Sequence, residues 1–362
     1  MNTSPVVRTL GDLVRIPSVN PAFEGGTSEA GVADYVARFC RDRGLEVRLQ
    51  EVFPGRSNVL ARRPGKTSRR LLFEAHMDTV TAAGMTIPPF EPRIEGGRLY
   101  GRGACDTKAG LAAMLHAVAA VERPPCDVWI AAVVDEEHAF RGVLKLCEGL
   151  KADVAIVSEP TGMRLVSASK GVLRWKIRCR GRAAHSSKPH LGDNAITRMA
   201  RVVLALENDT AALGRASHPL VGSPTLSVGL IQGGTQVNIV PDACTISVDR
   251  RLIPGEDPVD VRRHYERLLA PLGAEMDPPM LEDPALETPL DAAVVRLARE
   301  LLGDPVGVPY GSDASKLSRA GIPSILVGPG SIDQAHTADE YVDLAQVERS
   351  FEFYREMMSR FE

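Results

Sequence analysis

The chain has 362 residues, of which 44% are hydrophobic and 25% are charged, and its formal net charge is −3. This length exceeds what one hydrophobic core usually serves, so it predicts two domains. The composition is ordinary for a globular protein, and the small net charge gives no indication of nucleic acid or an anionic membrane as a partner.

The sequence shows no pattern typical of a signal peptide, a membrane span or a disulfide framework. Residues 1–21 lack a basic segment followed by an apolar run, so we expect no signal peptide, and no stretch is apolar over the length that spans a bilayer. The six cysteines are scattered and form no C-x-x-C pair. This pattern argues against a zinc–thiolate site or a disulfide framework and predicts a reducing, cytoplasmic location.

The first 160 residues alternate between strand and helix patterns. Such alternation is typical of an α/β fold, in which helices flank both faces of a parallel or mixed sheet. The predicted elements, in chain order, are a helix at 28–43 ended by Gly44, strands at 46–51, 58–62 and 70–75, a helix at 107–122, a strand at 128–134, a helix at 140–150 and a strand at 153–157.

After Gly171 the order changes to strand, helix, strand, strand, helix, which suits a small α+β domain of ferredoxin-like type. Its predicted elements are the alternating strand "VLRWKIRCRG", a helix at 193–208, strands at 225–232 and 243–250, and a helix at 258–270. Proline-rich 277–289 is interpreted as a return linker, and helices at 291–302 and 344–360 with a strand at 324–328 rejoin the first unit. We therefore predict one domain of residues 1–173 and 284–362 and another of residues 174–283.

Polar side chains follow the predicted strands and a glycine turn, and ligands bind beyond the carboxyl ends of strands in open α/β sheets. Two imidazoles and three carboxylates without a thiolate form a nitrogen/oxygen ligand set that suits zinc, with cobalt or manganese as options. Two divalent cations would offset the negative charge and could activate a water molecule. These five residues are His76, Asp106, Glu137, Glu159 and His336.

Two further acids lie beside this set. Asp78 comes two residues after His76, on the same side of an extended chain, where it could accept the second imidazole N–H. Glu136 precedes Glu137 and so points elsewhere, where it could act as a general base. Taken alone, an acid after a strand is more often a helix cap or a solvated turn, and one buried histidine is more often a core residue. Their occurrence together, each at an expected strand end, favours the metal site.

Several segments in combination resemble a known family, among them "HMDTV", "GRGACDTKAGLAAM", "DEEHAFRG", "SEPT", "DRRLIPGE" and "GPGSIDQAHTADEYV". They are similar to the co-catalytic zinc amidohydrolases and peptidases, which include acetylornithine deacetylase, succinyl-diaminopimelate desuccinylase, aminoacylase and carboxypeptidase G. The resemblance covers essentially the whole chain, and "GPGSIDQAHTADEY" and "HSSKPHLGDNAI" look most like acetylornithine deacetylase.

The resemblance implies two Zn²⁺ per subunit, with Co²⁺ possible, and a role for each matching residue. The implied ligands are His76 and Glu159 for one ion and Glu137 and His336 for the other, with Asp106 bridging both. Glu136 would be the general base and Asp78 the partner of His76, and the Asp106–Thr107 peptide bond would be cis. Residues 174–283 would form a lid through which the chain makes a homodimer.

The resemblance also implies substrate contacts, for which simpler alternatives stay open. His185 of the partner subunit would stabilise the oxyanion, although beside two serines it could only cap a turn. Arg251 would hold the substrate carboxylate, although it could pair with Asp249 at the surface. Asn238 would meet the substrate, and Gly328 would line its pocket or only shape a turn.

The implied reaction is hydrolysis of an N-acyl-amino acid, foremost N2-acetyl-L-ornithine to L-ornithine and acetate in arginine biosynthesis. Desuccinylation of succinyl-diaminopimelate, deacylation of another N-acyl-amino acid and carboxypeptidase activity are the alternatives. The segment "YGSDASKL" at 310–317 resembles the wider family more than acetylornithine deacetylase, which leaves the substrate open. A complete ligand set together with Glu136 argues against an inactive binding protein.

Overall fold

The computed structural model describes residues 3–362. The strands are β1 (Glu46–Phe53), β2 (Arg56–Arg63), β3 (Arg70–His76), β4 (Arg93–Glu95), β5 (Arg98–Tyr100), β6 (Asp127–Val133), β7 (Val154–Val157), β8 (Val166–Ser169), β9 (Gly171–Arg180), β10 (Thr225–Gly233), β11 (Ala243–Leu252), β12 (Ala274–Met276), β13 (Leu281–Asp283), β14 (Leu286–Glu287), β15 (Val306–Val308), β16 (Ser324–Leu326) and β17 (Tyr341–Asp343). The helices are α1 (Pro5–Arg15), α2 (Ala30–Arg41), α3 (Ala109–Ala119), α4 (Arg141–Cys147), α5 (Ala195–Leu213), α6 (Pro258–Leu269), α7 (Ala293–Leu302), α8 (Asp313–Arg319) and α9 (Leu344–Arg360).

These elements form two compact units. The larger unit consists of residues up to Ser167, Thr288–Val306 and Ser312–Glu362, and the smaller unit consists of Ala168–Glu287 and Gly307–Gly311. The range predicted to be a lid, 174–283, lies within the smaller unit, and its role as a lid stays a prediction. Among the helices of residues 3–362, none is both long enough and apolar enough to cross a bilayer.

The larger unit is built on a mixed sheet, which confirms the predicted fold class. Its strand order is β1-β2-β6-β3-β7-β16-β8. Strands β6, β3, β7 and β16 run parallel to one another, whereas β1, β2 and β8 pair antiparallel with their neighbours. Parallel neighbours end at the same edge of the sheet, so residues that follow β6, β3 and β7 are brought to one place.

Helix α3 lies in the core of this unit. It is apolar on nearly all sides, as expected of a helix surrounded by protein, and it packs against α1 and α9. Gly103 precedes it with a φ of +80°, and Asp106 and Thr107 have non-helical backbone angles. The regular helix therefore begins at Ala109, two residues later than the sequence predicted.

The smaller unit contains an antiparallel sheet of order β10-β11-β9-β12, with β13 also paired to β9. Strand β9 alternates buried and exposed residues, and α5 and α6 pack against the sheet around Trp175 and Tyr265, whose rings are 5.3 Å apart. Asn194 caps the beginning of α5, where its side-chain oxygen accepts a hydrogen bond from Thr197 N at 3.0 Å. This confirms the predicted small α+β unit.

Some elements differ from the prediction. The predicted linker at 277–289 contains the short strands β13 and β14, because its main chain pairs with β9 and β8. The sequence reading also missed α1, although Ser4 caps it and Pro5 begins it. It missed the short α8 as well, for which the sequence offers little periodicity.

Candidate metal centre

Three of the five predicted ligands lie where a strand ends. His76 is the last residue of β3, Glu137 follows β6 and Glu159 follows β7. Because these three strands are adjacent and parallel, their ends meet. Asp106 lies just before α3, and His336 lies in the loop between β16 and β17. The structure therefore brings all five predicted ligands together.

Asp106 is shared by two groups of possible ligands. Its Oδ1 lies 3.0 Å from His76 Nε2, and its Oδ2 lies 3.3 Å from His336 Nε2. His336 Nε2 also lies 3.1 Å from Glu137 Oε1. One ligand atom from each of His76, Asp106 and Glu159, and one from each of Asp106, Glu137 and His336, lie within 4.8 Å of one another in each group.

The donor set fits a pair of divalent cations. Glu159 is only 5% exposed, and its Oε1 is buried without a hydrogen-bond partner. An ionised carboxylate in such a place is costly unless a cation compensates it. Asp106 directs one oxygen to each histidine, which is the geometry of a bridging carboxylate. The Asp106–Thr107 peptide bond is cis, as expected.

The pKa values at this site reflect crowding of acids around two imidazoles. Burial raises the pKa of Glu159 well above its ordinary value, and the charge of Asp106 adds to the effect. Burial alone would lower the pKa of His336, but its hydrogen bonds to Asp106 and Glu137 outweigh burial and raise the value to about 11. Hydrogen bonds from both histidines overcome the effect of burial and lower the pKa of Asp106. The negative charge of these acids favours bound protons, and divalent cations at the same place would offset that charge instead.

Glu136 is the predicted general base, and it is absent from both ligand groups. Burial raises the pKa of its carboxyl well above the ordinary value, His76 opposes the rise, and Asp313 adds to it. Asp313 lies at the start of α8 and interacts electrostatically with Glu74 on β3, and the charge of each carboxylate bears on the pKa of the other. The sequence reading missed Glu74, although an acid inside an apolar strand two residues before His76 was the available signal.

Asp78 has a wider role than the sequence predicted. Its main-chain oxygen lies 3.0 Å from His76 Nδ1, whereas its carboxylate Oδ1 lies 3.6 Å from that nitrogen. The carboxylate instead accepts the main-chain N–H groups of Glu136 and Glu137, each at 3.1 Å. Asp78 thereby holds the segment that carries the candidate base, and its function as the partner of His76 stays a prediction.

A second network fixes the same segment from the other side. Asn20 donates to Asp78 Oδ2 at 2.8 Å and to Asp135 Oδ1 at 3.0 Å. Arg56 donates to both oxygens of Glu29 at 2.6 and 2.7 Å, and Glu29 accepts the N–H of Asp135 at 3.1 Å. Asp135 has a φ of +66°, so these contacts hold a backbone conformation that a non-glycine residue rarely adopts. Sequence reasoning missed this network because its members lie 27 to 115 residues apart.

Gly328 is a closely packed residue of the larger unit. Its N–H donates to Thr161 Oγ1 at 3.1 Å, and its oxygen accepts from Thr161 Oγ1 and Met163 N. A Cβ at this position would lie 2.5 Å from the main-chain oxygen of Glu159. These contacts support the alternative that Gly328 shapes a turn, and its predicted contact with substrate stays a prediction.

Two of the predicted substrate residues lie on neighbouring loops of the smaller unit. Ser186 N donates to the main-chain oxygen of Asn238 at 3.0 Å, and His185 forms a β-bridge with Ile239. His185 is exposed, and its Nδ1 accepts the N–H of Ser187 at 3.2 Å. Nδ1 therefore lacks a proton in that arrangement, so a neutral His185 carries its proton on Nε2, where it can donate to a ligand.

Arg251 is paired within its own strand. Its Nε donates to Asp249 Oδ1 at 2.8 Å, and Arg174 donates to the other oxygen of Asp249 at 2.6 Å. This is the ion pair that the sequence left open as an alternative, so carboxylate binding by Arg251 stays a prediction. Arg250 is 1% exposed and is bound to Glu256.

The sequence is similar to known proteins. A model of peptidase family M20/M25/M40 matches residues 72–360. The acetylornithine deacetylase of Myxococcus xanthus is 32% identical over 96% of this chain and 95% of its own length.

Solved structures share the fold over nearly the whole chain. A tripeptidase from Staphylococcus aureus has a TM-score of 0.80 at 23% identity and covers 98% of this chain and 97% of its own. A dinuclear metal-binding M20 peptidase from Bacillus subtilis has a TM-score of 0.73 at 17% identity and covers 98% of this chain and 96% of its own.

Proposed function

Because the chain belongs to peptidase family M20/M25/M40 and is therefore a metallohydrolase, we propose that it hydrolyses the amide bond of N2-acetyl-L-ornithine to give L-ornithine and acetate, a step of arginine biosynthesis. The name of the Myxococcus xanthus relative supports this substrate, as do the segments around His185 and His336. Among the geometric observations, the one that carries the proposal is that Asp106 joins two ligand groups at the ends of β3, β6 and β7.

We propose two Zn²⁺ as the cations, with Co²⁺ as the alternative, held by His76, Asp106 and Glu159 and by Asp106, Glu137 and His336. The mixed nitrogen/oxygen donor set supports either metal. When bound, two such cations lower the pKa of a shared water and polarise a carbonyl oxygen.

Glu136 would move the proton. Its carboxylate takes the proton of the attacking water and passes it to the nitrogen of the leaving amine, so one water is consumed for each amide bond broken. A carboxyl whose pKa is raised toward the working pH accepts and returns a proton more effectively than an ordinary one. Asp78 holds the main chain of Glu136 through the N–H bond at 3.1 Å, so the base is fixed before substrate arrives.

The smaller unit would supply substrate contacts. His185 of the partner subunit would donate Nε2–H to the developing oxyanion, and one such donor contributes about 3–4 kcal/mol. Asn238 would bind the substrate beside it. Arg251 would bind the substrate carboxylate in bidentate fashion after exchanging Asp249 for it.

The test of Glu136 is Glu136→Gln, compared with Glu122→Gln, which removes an exposed acid of the same unit. We expect Glu136→Gln to keep both metal ions, since Glu136 belongs to neither ligand group, and to lose about 10²–10⁴-fold in kcat. Glu122→Gln should match the wild type. Wild-type turnover by Glu136→Gln would remove the base assignment without affecting the metal assignment.

The substrate is tested by a panel. Metal-loaded protein is assayed with acetyl-ornithine, acetyl-citrulline, succinyl-diaminopimelate and Gly-X dipeptides, and we expect the highest kcat/KM for acetyl-ornithine. A higher value for a dipeptide would favour a peptidase, the second candidate, which the fold of the Staphylococcus aureus tripeptidase suggests.

We also propose a homodimer formed through the smaller unit and a cytoplasmic location. Within residues 3–362, β10 pairs only with β11, and this edge strand exposes Leu230 and Ile231. Light scattering of the wild type and of Leu230→Lys tests the dimer, and we expect the variant to dissociate. The cytoplasmic location is supported by the six cysteines, all of which are free thiols and suit a reducing compartment.

A further inference from the structure

Glu340 is a buried acid that is surrounded by hydrogen-bond donors. It lies at the end of the loop that carries His336, directly before β17, and none of its surface is exposed. Its Oε1 accepts the main-chain N–H groups of Cys105 at 2.9 Å and Asp106 at 3.1 Å. Its Oε2 accepts the N–H of Gly103 at 3.1 Å and Nη1 of Arg102 at 2.7 Å.

These contacts converge on the turn that presents Asp106. Three of the four donors are main-chain N–H groups within residues 103–106, so the carboxylate fixes the backbone rather than a side chain. The turn has little other regular structure, because Asp106 and Thr107 are outside helical angles and α3 begins only at Ala109. Without Glu340, three buried N–H groups would lose their acceptor, which costs more than the bonds themselves contribute.

The same contacts connect two ligand segments. Glu340 is four residues after His336, and its Oε1 accepts the main-chain N–H of Asp106. The side-chain Oδ2 of Asp106 lies 3.3 Å from His336 Nε2. His336 itself has a φ of +61°, so its loop needs support from packing and hydrogen bonds. The side chain of Glu340 thus joins the backbone before Asp106 to the loop of His336. Asp106 and His336 both belong to the group that also contains Glu137.

We propose that Glu340 is a positioning residue that clamps the backbone of residues 103–106 to the His336 loop and thereby determines the affinity for the cation held by Asp106, Glu137 and His336. This inference rests on the two-cation site of the proposed function. Glu340 belongs to neither of the two ligand groups. The cation of the other group depends on the clamp only through Asp106, so its binding should change less.

The test measures metal binding without substrate. Metal-free wild type, Glu340→Gln and the control Asp339→Asn are titrated with Zn²⁺ in competition with a chelating dye, and with Co²⁺ while its visible spectrum is followed. Asp339 is an exposed neighbour, so its variant removes the same charge from the surface of the loop. Glu340→Gln retains the size of the side chain but places an amide N–H₂ against at least one of the donors.

We expect Glu340→Gln to raise the Kd of one of the two Zn²⁺ by about 10–100-fold, to change the Kd of the other less, and to alter the Co²⁺ spectrum. Asp339→Asn should stay within about twofold of the wild type. Two Zn²⁺ bound with wild-type affinity and an unchanged Co²⁺ spectrum would overturn the proposal, whatever the melting temperature of the metal-free variant. Should Glu340→Gln not fold, Glu340→Asp keeps the charge but is too short to reach both sets of donors, and wild-type metal affinity in that variant would overturn it equally. A wild type that binds no metal would instead contradict the proposed function.

Discussion

Replacing Asp78 by asparagine separates two roles that the carboxylate could have. Asp78 is 1% exposed and accepts three N–H groups, from Glu136, Glu137 and Asn20. If its main role were to orient His76, as the sequence suggested, Asp78→Asn would chiefly weaken metal binding. The distances argue otherwise, since His76 Nδ1 is closer to the main-chain oxygen of Asp78, which the substitution leaves in place.

The size of the effect follows from the bonds that asparagine can keep. Its best orientation places the N–H₂ where Oδ1 was, which loses the bond from Glu136 and retains those from Glu137 and Asn20. A hydrogen bond to a charged group contributes about 1.5–3 kcal/mol, and the two retained bonds fall to neutral strength. A total near 3 kcal/mol would correspond to about 10²-fold in rate if all of it acted on the base.

Steady-state kinetics and metal analysis decide between the two roles. We expect Asp78→Asn to lower kcat by about 10–100-fold with a nearly unchanged KM and two bound ions, because Asp78 belongs to neither ligand group and its carboxylate accepts N–H groups of the protein. The control Asp34→Asn removes an exposed acid of the same unit and should match the wild type. Full activity in Asp78→Asn would refute the role of Asp78 in holding the main chain of Glu136. Loss of bound metal with no separate loss of kcat in the metal-loaded variant would support the role predicted from the sequence, orientation of His76.

Three further outcomes are expected. Burial and nearby arginines lower the pKa of His116 from 6.5 to about 4. Between these values the unfolded chain binds the extra proton, so the free energy of unfolding should fall as the pH drops from 6.5 to about 4. Denaturation of the wild type and of His116→Gln at several pH values measures this loss. His336, with a pKa of about 11, is protonated in metal-free protein, so calorimetry in buffers of different ionisation enthalpy should detect proton release on Zn²⁺ binding. Gly328→Ala should push on the main chain of Glu159 and lower both melting temperature and metal affinity, whereas Gly149→Ala, which has open space around it, should do neither.

The sequence predicted the parts of the site that depend on strand ends. His76, Glu137 and Glu159 each follow an apolar run, and parallel pairing of those runs was sufficient to predict that they meet. Helix α1 was not predicted, although its sequence carries a clear signal: a serine cap, a proline at the first position and apolar residues at helical spacing.

The supporting residues could not be predicted in this way. Glu340 is 234 residues from Asp106, and Asn20 is 115 residues from Asp135. Neither has a local pattern, since a buried carboxylate or amide looks the same in sequence as an exposed one. Their identity depends on which main-chain N–H groups are left without an acceptor, and that is determined only when the turns around Asp106 and Asp135 have formed.

The acids of the larger unit are also more numerous than stability alone would favour. Glu74 and Asp313 are fully buried and in contact, and burial raises the pKa of Asp313 to about 7 and that of Glu74 well above its ordinary value. Burial also raises the pKa values of Glu136 and Glu159. Cations that bind the folded chain would offset the negative charge of such groups and stabilise the fold by mass action. Replacing buried charged groups by apolar ones is often neutral or stabilising. The acids that follow the parallel strands β6 and β7, Glu137 and Glu159, are therefore better explained by the cations that they would hold than by the stability of the fold.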